Sequence, residues 1–330
     1  MKAIYFTDPH CDDYKAFSKG RDRLEDTLRV LDDVFALARK KQSNTILLGG
    51  DLYNTVTFIY TTVVDAVIDR LDKLFKKYPE ITIYAITGNH DFATKNLLHK
   101  PTKSALRHLT VAFPGRFVLI DNERVELDGN DVIICGIPNY EFPEHYQAKL
   151  QEMSEWATGY KRCASKASIT LLIHQKPSGN PNPNVRIDTD VYDPLYDPFD
   201  MVLCGDIHHP KIIRDKFILG GNPLHKDLKD EGEEKGVWSL DLTDPVNTLK
   251  FHSRKGRYPE FKRVTSSEST NDPDNFIIVE PNYSSKLATG TSLKRFASNL
   301  PHAQLVENYF GTIEGGDPKL LKTGLSFLEK

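Results

Sequence analysis

AITGNHD, residues 85–91, carries an apolar strand straight into Gly88-Asn89-His90-Asp91, four residues suited to binding, donating or relaying a proton. A turn needs Gly and Asn, which tolerate the backbone angles of a tight reversal. It does not need His and Asp. The reading of the chain turns on whether other strand ends supply them with partners.

Working outward, the run ITIYAIT (81–87) is one of seven short apolar segments. The others are AIYFT (3–7), TILLGG (45–50), FVLID (117–121), DVIICGI (131–137), SITLLIH (168–174) and MVLCG (201–205). Continuous apolar runs of this length, bounded by turn residues, predict strands buried on both faces. Between them, RLEDTLRVLDDVFALARKK (23–41) puts Leu24, Leu28, Leu31, Phe35 and Ala38 on one helical stripe with charges opposite. TTVVDAVIDRLDKLFKKY (61–78) repeats the pattern. Strands alternating with helices give an α/β layered fold.

Five of those strands end in metal-binding residue types. AIYFT runs into Asp8-Pro9-His10, TILLGG into Asp51, and ITIYAIT into Asn89-His90-Asp91; SITLLI meets His174 and MVLCG meets Asp206 and His208. In α/β sheets, ligands bind beyond the carboxyl ends of strands. Asp8, His10, Asp51, Asn89, His174, Asp206 and His208 are oxygen and imidazole donors, a set suited to Mn²⁺ or Mg²⁺ ahead of a structural Zn²⁺. Seven donors are too many for one ion with open positions, and suit two ions about 3.5–4 Å apart sharing a carboxylate. Asn89 is then a ligand, His90 faces a phosphate or leaving oxygen, and Asp91 orients that imidazole from behind. Each motif alone reads as a solvated loop or a turn. The case rests on all five in this order.

The formal net charge of −3 argues against a generally basic nucleic-acid coat, though a local groove remains compatible with it. The four cysteines, Cys11, Cys135, Cys163 and Cys204, form no CxxC pair, which predicts reduced thiols in a cytoplasmic setting. MKAIYFTDPH shows no export signal and no apolar run reaches about 18 residues, so neither export nor membrane insertion is expected. SSESTNDPDN (266–275) reads as a linker. It divides residues 1–265 from a small appendage, 266–330, with NFIIVEP as strand, SLKRFASNL as helix and AQLVENYF as strand. DPKLLKTGLSFLEK (317–330) has an apolar side at Leu320, Leu321, Leu325 and Leu328.

In order and spacing, D-x-H, G-D, G-N-H-D, a lone His and G-D-x-H resemble the calcineurin-like metallophosphoesterases. Within them the chain resembles the SbcD-type DNA-break-processing nucleases, especially phage members. FILGGNPLHKDLKDEGEEKGVWSLDL (217–242) is similar to that branch's glycine turn, charged loop and Lys-Gly strand, and KNLLHKP (95–101) is similar to the phage branch. The resemblance implies a four-layer sandwich of two mixed β-sheets flanked by helices, with a small α+β capping domain after it. It implies one metal on Asp8, His10, Asp51 and His208, a second on Asp51, Asn89, His174 and Asp206, and His90 as the catalytic histidine. It further implies a Mn²⁺-dependent nuclease, exonucleolytic on duplex ends and endonucleolytic on single strands. An SbcC-type coiled-coil ATPase partner, a homodimer and a cytoplasmic location (the host's, for a phage protein) follow from the same resemblance. Many members carry His where this chain has Asp206, and a further acid where GDLYN has Asn54. The protein-phosphatase pattern GDxxDRG is absent.

DNA phosphates need local cations. KAFSKGRDR (15–23) supplies Lys15, Lys19, Arg21 and Arg23 just after the first motif, and Lys95, Lys100 and Lys103 follow GNHD. RKGRYPEFKR (254–263) is a third basic run. The C-terminal residues 317–330 either dock on the ATPase coiled coil or pack on their own appendage. Two other functions fit the same residues: a small-substrate nucleotide phosphodiesterase, and a non-catalytic DNA-end-binding scaffold motivated by Asp206.

Overall fold

The computed structural model describes residues 1–14, 22–54, 59–92, 104–127, 131–175, 194–265, 274–280 and 295–297. In chain order come β1 (Lys2–Phe6), α1 (Arg23–Lys41), β2 (Thr45–Leu48), α2 (Thr61–Lys77), β3 (Thr82–Ala85), α3 (Arg107–Ala112) and β4 (Phe117–Leu119). Next are β5 (Arg124–Leu127), β6 (Val132–Ile137), α4 (Pro143–Cys163), β7 (Ser168–Ile173), β8 (Met201–Cys204), β9 (Lys211–Ile213) and β10 (Phe217–Leu219). Then follow β11 (Gly236–Asp241), α5 (Pro245–Thr248), β12 (Lys250–Ser253), β13 (Phe261–Thr265), β14 (Phe276–Glu280) and β15 (Arg295–Ala297).

Met1–Tyr14 and Asp22–Tyr258 make one compact unit, and the strands after Pro259 belong to a second. The first unit holds two mixed six-stranded sheets. One runs β12-β11-β1-β2-β3-β4, with β1 to β4 parallel and β11 antiparallel to β1. The other runs β5-β6-β7-β8-β10-β9, parallel through β6, β7, β8 and β10, with antiparallel edges.

Alternate side chains of each strand explain why the sequence runs are apolar throughout. Ile4 and Phe6 of β1, with Ile46 and Leu48 of β2, pack among Leu31, Phe35, Val67 and Leu71 of α1 and α2. Ala3, Tyr5 and Leu47 face the other way, onto Ile134, Leu172 and Leu203 of the second sheet. Ile133 and Cys135 of β6, on the far side of that sheet, pack with Tyr146, Leu150 and Met153 of α4. Both faces of the central strands are therefore dry, while the edge strands β5, β9 and β12 are partly exposed. The layers run helix, sheet, sheet, helix, as the resemblance implied. Helix α1 starts where Asp22 caps it, accepting from Glu25 N at 3.0 Å, and ends at Gln42 in the left-handed conformation.

Register positions the functional edge. Phe6 is level with Leu48, and Leu48 with Ala85, so β1, β2 and β3 finish in step. Ile173 is likewise level with Cys204 at the ends of β7 and β8. The loops carrying Asp8, Asp51, Asn89, His174 and Asp206 leave from these aligned ends.

In the second unit β13 lies parallel to β14, and β14 antiparallel to β15. The expected helix over SLKRFASNL is corrected at Arg295–Ala297, which form β15, because pairing with a neighbouring strand overrides a weak local propensity. β13 precedes the expected boundary at 265, so the second unit takes in residues assigned to the first by composition. Lys15, Lys19, Arg21, Lys95, Lys100, Lys103, the expected strand 303–310 and the segment 317–330 lie outside the described residues. Cys11, Cys135 and Cys204 are buried free thiols and Cys163 is exposed. Among the described residues no helix is long and apolar enough to cross a membrane.

Candidate metal centre

Four of the residues at the strand ends adopt a backbone conformation that side chains rarely tolerate. Asp8 (φ 56°), His10 (φ 50°), Asp51 (φ 54°) and Asp206 (φ 70°) are all left-handed. Such strain persists where surrounding structure over-determines it, and it clusters at functional sites. Here the surroundings are explicit. Asp8 N donates to Gly50 O at 3.0 Å and His10 N to Asp51 O at 3.1 Å. Asp206 N donates to Asp8 Oδ2 at 3.2 Å. The glycine of GNHD has a steric purpose: a Cβ at Gly88 would lie 2.1 Å from Asp51 Oδ1.

Asp51 is the hub. His174 Nε2 is 3.4 Å from its Oδ1, His10 Nε2 is 3.8 Å from its Oδ2, and His90 Nε2 is 4.0 Å from its Oδ2. Asp8 Oδ1 has His10 Nε2 and His208 Nε2 at 3.7 Å each and His174 Nε2 at 4.0 Å. Asn89 Oδ1 lies 2.9 Å from His174 Nε2, and the Nε2 atoms of His10 and His208 are 3.0 Å apart. Three overlapping groups can therefore each converge on an ion: Asp8, His10 and His208; Asp8, Asp51 and His174; His10, Asp51 and His90.

The donor chemistry fits divalent ions. Asp8 Oδ1 is buried with no hydrogen-bond partner among the described residues. Its 3.7–4.0 Å approaches to three imidazoles are too long for hydrogen bonds but within reach of donors sharing one ion. His174 Nδ1–H donates to Gly49 O at 2.6 Å, which leaves Nε2 as the ring nitrogen turned toward the carboxylates.

Burial pushes the Asp8 carboxyl up to about 7, with Asp51 and Asp206 adding to the effect and His174 opposing it. Burial would also raise Asp51, but His174, then His10 and His90, hold it below the ordinary carboxylate range. Burial would lower His174, and the Asp51 charge lifts it instead. Burial and then Lys226 push His10 down, and the same two causes take His208 to about 4.

Two expectations need correcting. Asp91 does not orient His90. Fully buried, it accepts from Asp51 N (2.7 Å), Gly88 N (3.0 Å) and Tyr53 N (3.1 Å), clamping the Asp51 loop to the GNHD loop. The His90 imidazole is held by Asn54, whose backbone carbonyl accepts from its Nδ1–H, while His90 N donates to Asp51 Oδ1 at 2.8 Å. Arg23 is not an exposed phosphate contact either. It is 5% exposed, its guanidinium lies 4.4 Å from the Tyr14 ring centroid, and it donates to Lys226 O at 3.2 Å.

The family model for calcineurin-like phosphoesterases matches residues 1–210. The chain belongs to that family. This metallophosphoesterase therefore carries the divalent-metal hydrolase chemistry of the family, and its clustered Asp and His side chains are the groups that fit the ions. Among solved structures it is similar to a dimetal phosphatase from Danio rerio at 10% identity and a TM-score of 0.46, over 72% of this chain and 91% of that one. Sequence reasoning missed the phosphoesterase's Asn54 carbonyl, Thr7, whose hydroxyl donates to Asp8 Oδ2 at 2.5 Å, and Lys226. Asn54 left a trace in GDLYN and Lys226 in the charged loop of 217–242.

Proposed function

We propose that this metallophosphoesterase is a Mn²⁺-dependent nuclease of SbcD type that hydrolyses phosphodiester bonds of DNA. The observation that carries the hydrolytic part is the convergence of Asp8, His10, His174 and His90 on Asp51. The nucleic-acid part rests on the resemblance of 217–242 to the nuclease branch. Asp8, His10, Asp51 and His208 would hold one ion; Asp51, Asn89, His174 and Asp206 would hold the other. Bound there, divalent cations lower the pKa of a water and neutralise phosphate oxygens.

The chain's own residues do the rest. Asp51 and Asp8, kept dry, present fixed negative charge that does not reorganise during the reaction. The half-buried His90 has its Nδ1 engaged by Asn54 O, so Nε2 is the face free for substrate. The attacking water gives up one proton to solvent as its oxygen bonds to phosphorus; the bond to the leaving oxygen breaks, and His90 Nε2–H gives that leaving oxygen a proton. Asp91 keeps the two loops in register throughout.

A partner ATPase with a coiled coil, docking through 317–330, a homodimeric assembly and a cytoplasmic location belong to the same proposal. The deciding experiment is a nuclease assay on labelled duplex and hairpin ends, in Mn²⁺ and in Mg²⁺, with and without the ATPase. His90→Ala and the substrates bis(4-nitrophenyl) phosphate and cyclic nucleotides serve as comparisons. DNA cleavage that depends on Mn²⁺ and His90 supports the reading. Turnover confined to cyclic nucleotides, or none, overturns it.

A further inference from the structure

The rim carries three carboxylates, Asp8, Asp51 and Asp206, around a position that must accept an anionic phosphate. Something has to offset their repulsion besides the ions. Lys226 is a described cation whose charge acts on Asp51 and Asp8.

Its backbone is fastened on both sides. Lys226 N donates to Asp230 Oδ2 at 2.7 Å, and its carbonyl accepts from Arg23 at 3.2 Å. Arg23 stacks on Tyr14, whose hydroxyl donates to His10 O at 2.9 Å. Asp230 is paired with Lys235 Nζ at 2.6 Å, and that same Nζ donates to His208 O at 2.9 Å. Lys226 therefore sits between the arm that carries His10 and the arm that carries His208.

Lys226 is half-buried, and its ammonium lies within range of the charges of Asp51 and Asp8. Among the described residues its Nζ makes no hydrogen bond or ion pair. Asp230 and Lys235 are tied up; Lys226 is fixed in place and left with its charge unspent.

We infer that Lys226 is a phosphate-contacting residue of this site, its ammonium binding a non-bridging oxygen of the phosphate held against Asp51 and His90. This rests on the phosphoesterase site proposed above and adds a substrate contact to it. The contact favours singly and doubly charged phosphates over neutral esters. It makes no contribution to holding the metal.

The test uses the full chain loaded with Mn²⁺. Lys226→Met keeps the stem and removes the charge; Lys226→Arg restores the charge. The readouts are Mn²⁺ stoichiometry, inorganic phosphate binding by calorimetry, and KM against kcat for bis(4-nitrophenyl) phosphate. For Lys226→Met, phosphate binding and KM weaken about tenfold or more, the loss expected of one charged contact, with Mn²⁺ stoichiometry unchanged. Lys226→Arg returns to within about threefold of wild type by the same reasoning. Phosphate binding by Lys226→Met equal to wild type overturns the inference, as does loss of Mn²⁺ from that variant. Failure of the wild type to hydrolyse the diester overturns the reading of the site instead, while the phosphate titration still decides Lys226.

Discussion

Two clusters of buried charge among the described residues are built on opposite principles. Around Asp230 every charge is answered: its carboxylate takes Lys235 Nζ and the backbone N–H groups of Lys226 and Asp227, and it closes a capping box over a 3-10 turn. Around Asp8 and Asp51 the pairing is incomplete. Among the described residues Asp8 Oδ1 and His10 Nδ1 have no hydrogen-bond partner, and the nearby charges of Asp51 and Asp206 make Asp8 harder to ionise. Burying a charge without a partner is costly, so a cluster that remains unanswered is made for something that arrives later. The first cluster is scaffold; the second is site. The comparison also assigns Asp91, which resembles the site residues in sequence but belongs with the scaffold by its three backbone bonds.

The largest effect that would break this comparison is catalytic. Asp51→Asn should lower diester turnover on the order of 1,000-fold, the scale of losing several kcal/mol of charge stabilisation in the transition state. Steady-state rates on bis(4-nitrophenyl) phosphate check it, and turnover within tenfold of wild type would remove Asp51 from the hub. In the scaffold cluster the cost should fall on folding. Asp230→Ala leaves Lys235 buried and unpaired, so urea unfolding should show a loss of about 3–5 kcal/mol. A loss below about 1 kcal/mol would mean that the pair is not structural.

Asp8→Asn should do the reverse. It removes a buried like charge, and Asn tolerates the left-handed backbone, so the metal-free protein should gain about 1–2 kcal/mol while turnover collapses. Excess Mn²⁺ should cancel the gain, because the wild type is then stabilised by binding.

The two clusters should also respond to pH with opposite sign. Asp8, raised to about 7, holds a proton in the folded metal-free chain that the unfolded chain has lost above about pH 4, so its effect on stability worsens as pH rises toward 7. The advantage of Asp8→Asn should therefore grow over that range. Asp230 is held below the ordinary carboxylate range, so its contribution is present above about pH 4 and is lost as pH falls through its folded value. Unfolding free energies at several pH values separate the two; parallel trends would contradict the assignment. The smallest effect sets the floor: Lys76→Ala breaks an exposed pair with Asp72 and should cost no more than about 0.5 kcal/mol in the same unfolding measurement.

Much of the site was legible in the sequence because its signal is local. Each run such as TILLGG or SITLLI is apolar on both faces, ends where the sheet ends, and hands over to Asp or His. Seven runs became strands, and 23–41 became a helix with the expected limits. What stayed hidden is what tertiary pairing creates. β5, β9 and β12 are short edge strands with mixed burial, so their period is weak. The pattern of GNHD does not reveal that Asp91 turns toward three amides, because those amides come from two loops about forty residues apart in the chain. Arg23 reads as surface charge in the sequence, whereas the fold surrounds it with Tyr14 and Lys226 O. Lys226 becomes meaningful only when 222–235 folds back onto His208.

Where cations collect decides whether Asp51 is the centre of a two-ion site. A crystal of the full chain soaked in manganese, read by anomalous scattering, should show two peaks flanking Asp51, one against Asp8, His10 and His208 and the other against Asn89, His174 and Asp206. A single peak, or none within bonding distance of Asp51, would contradict it.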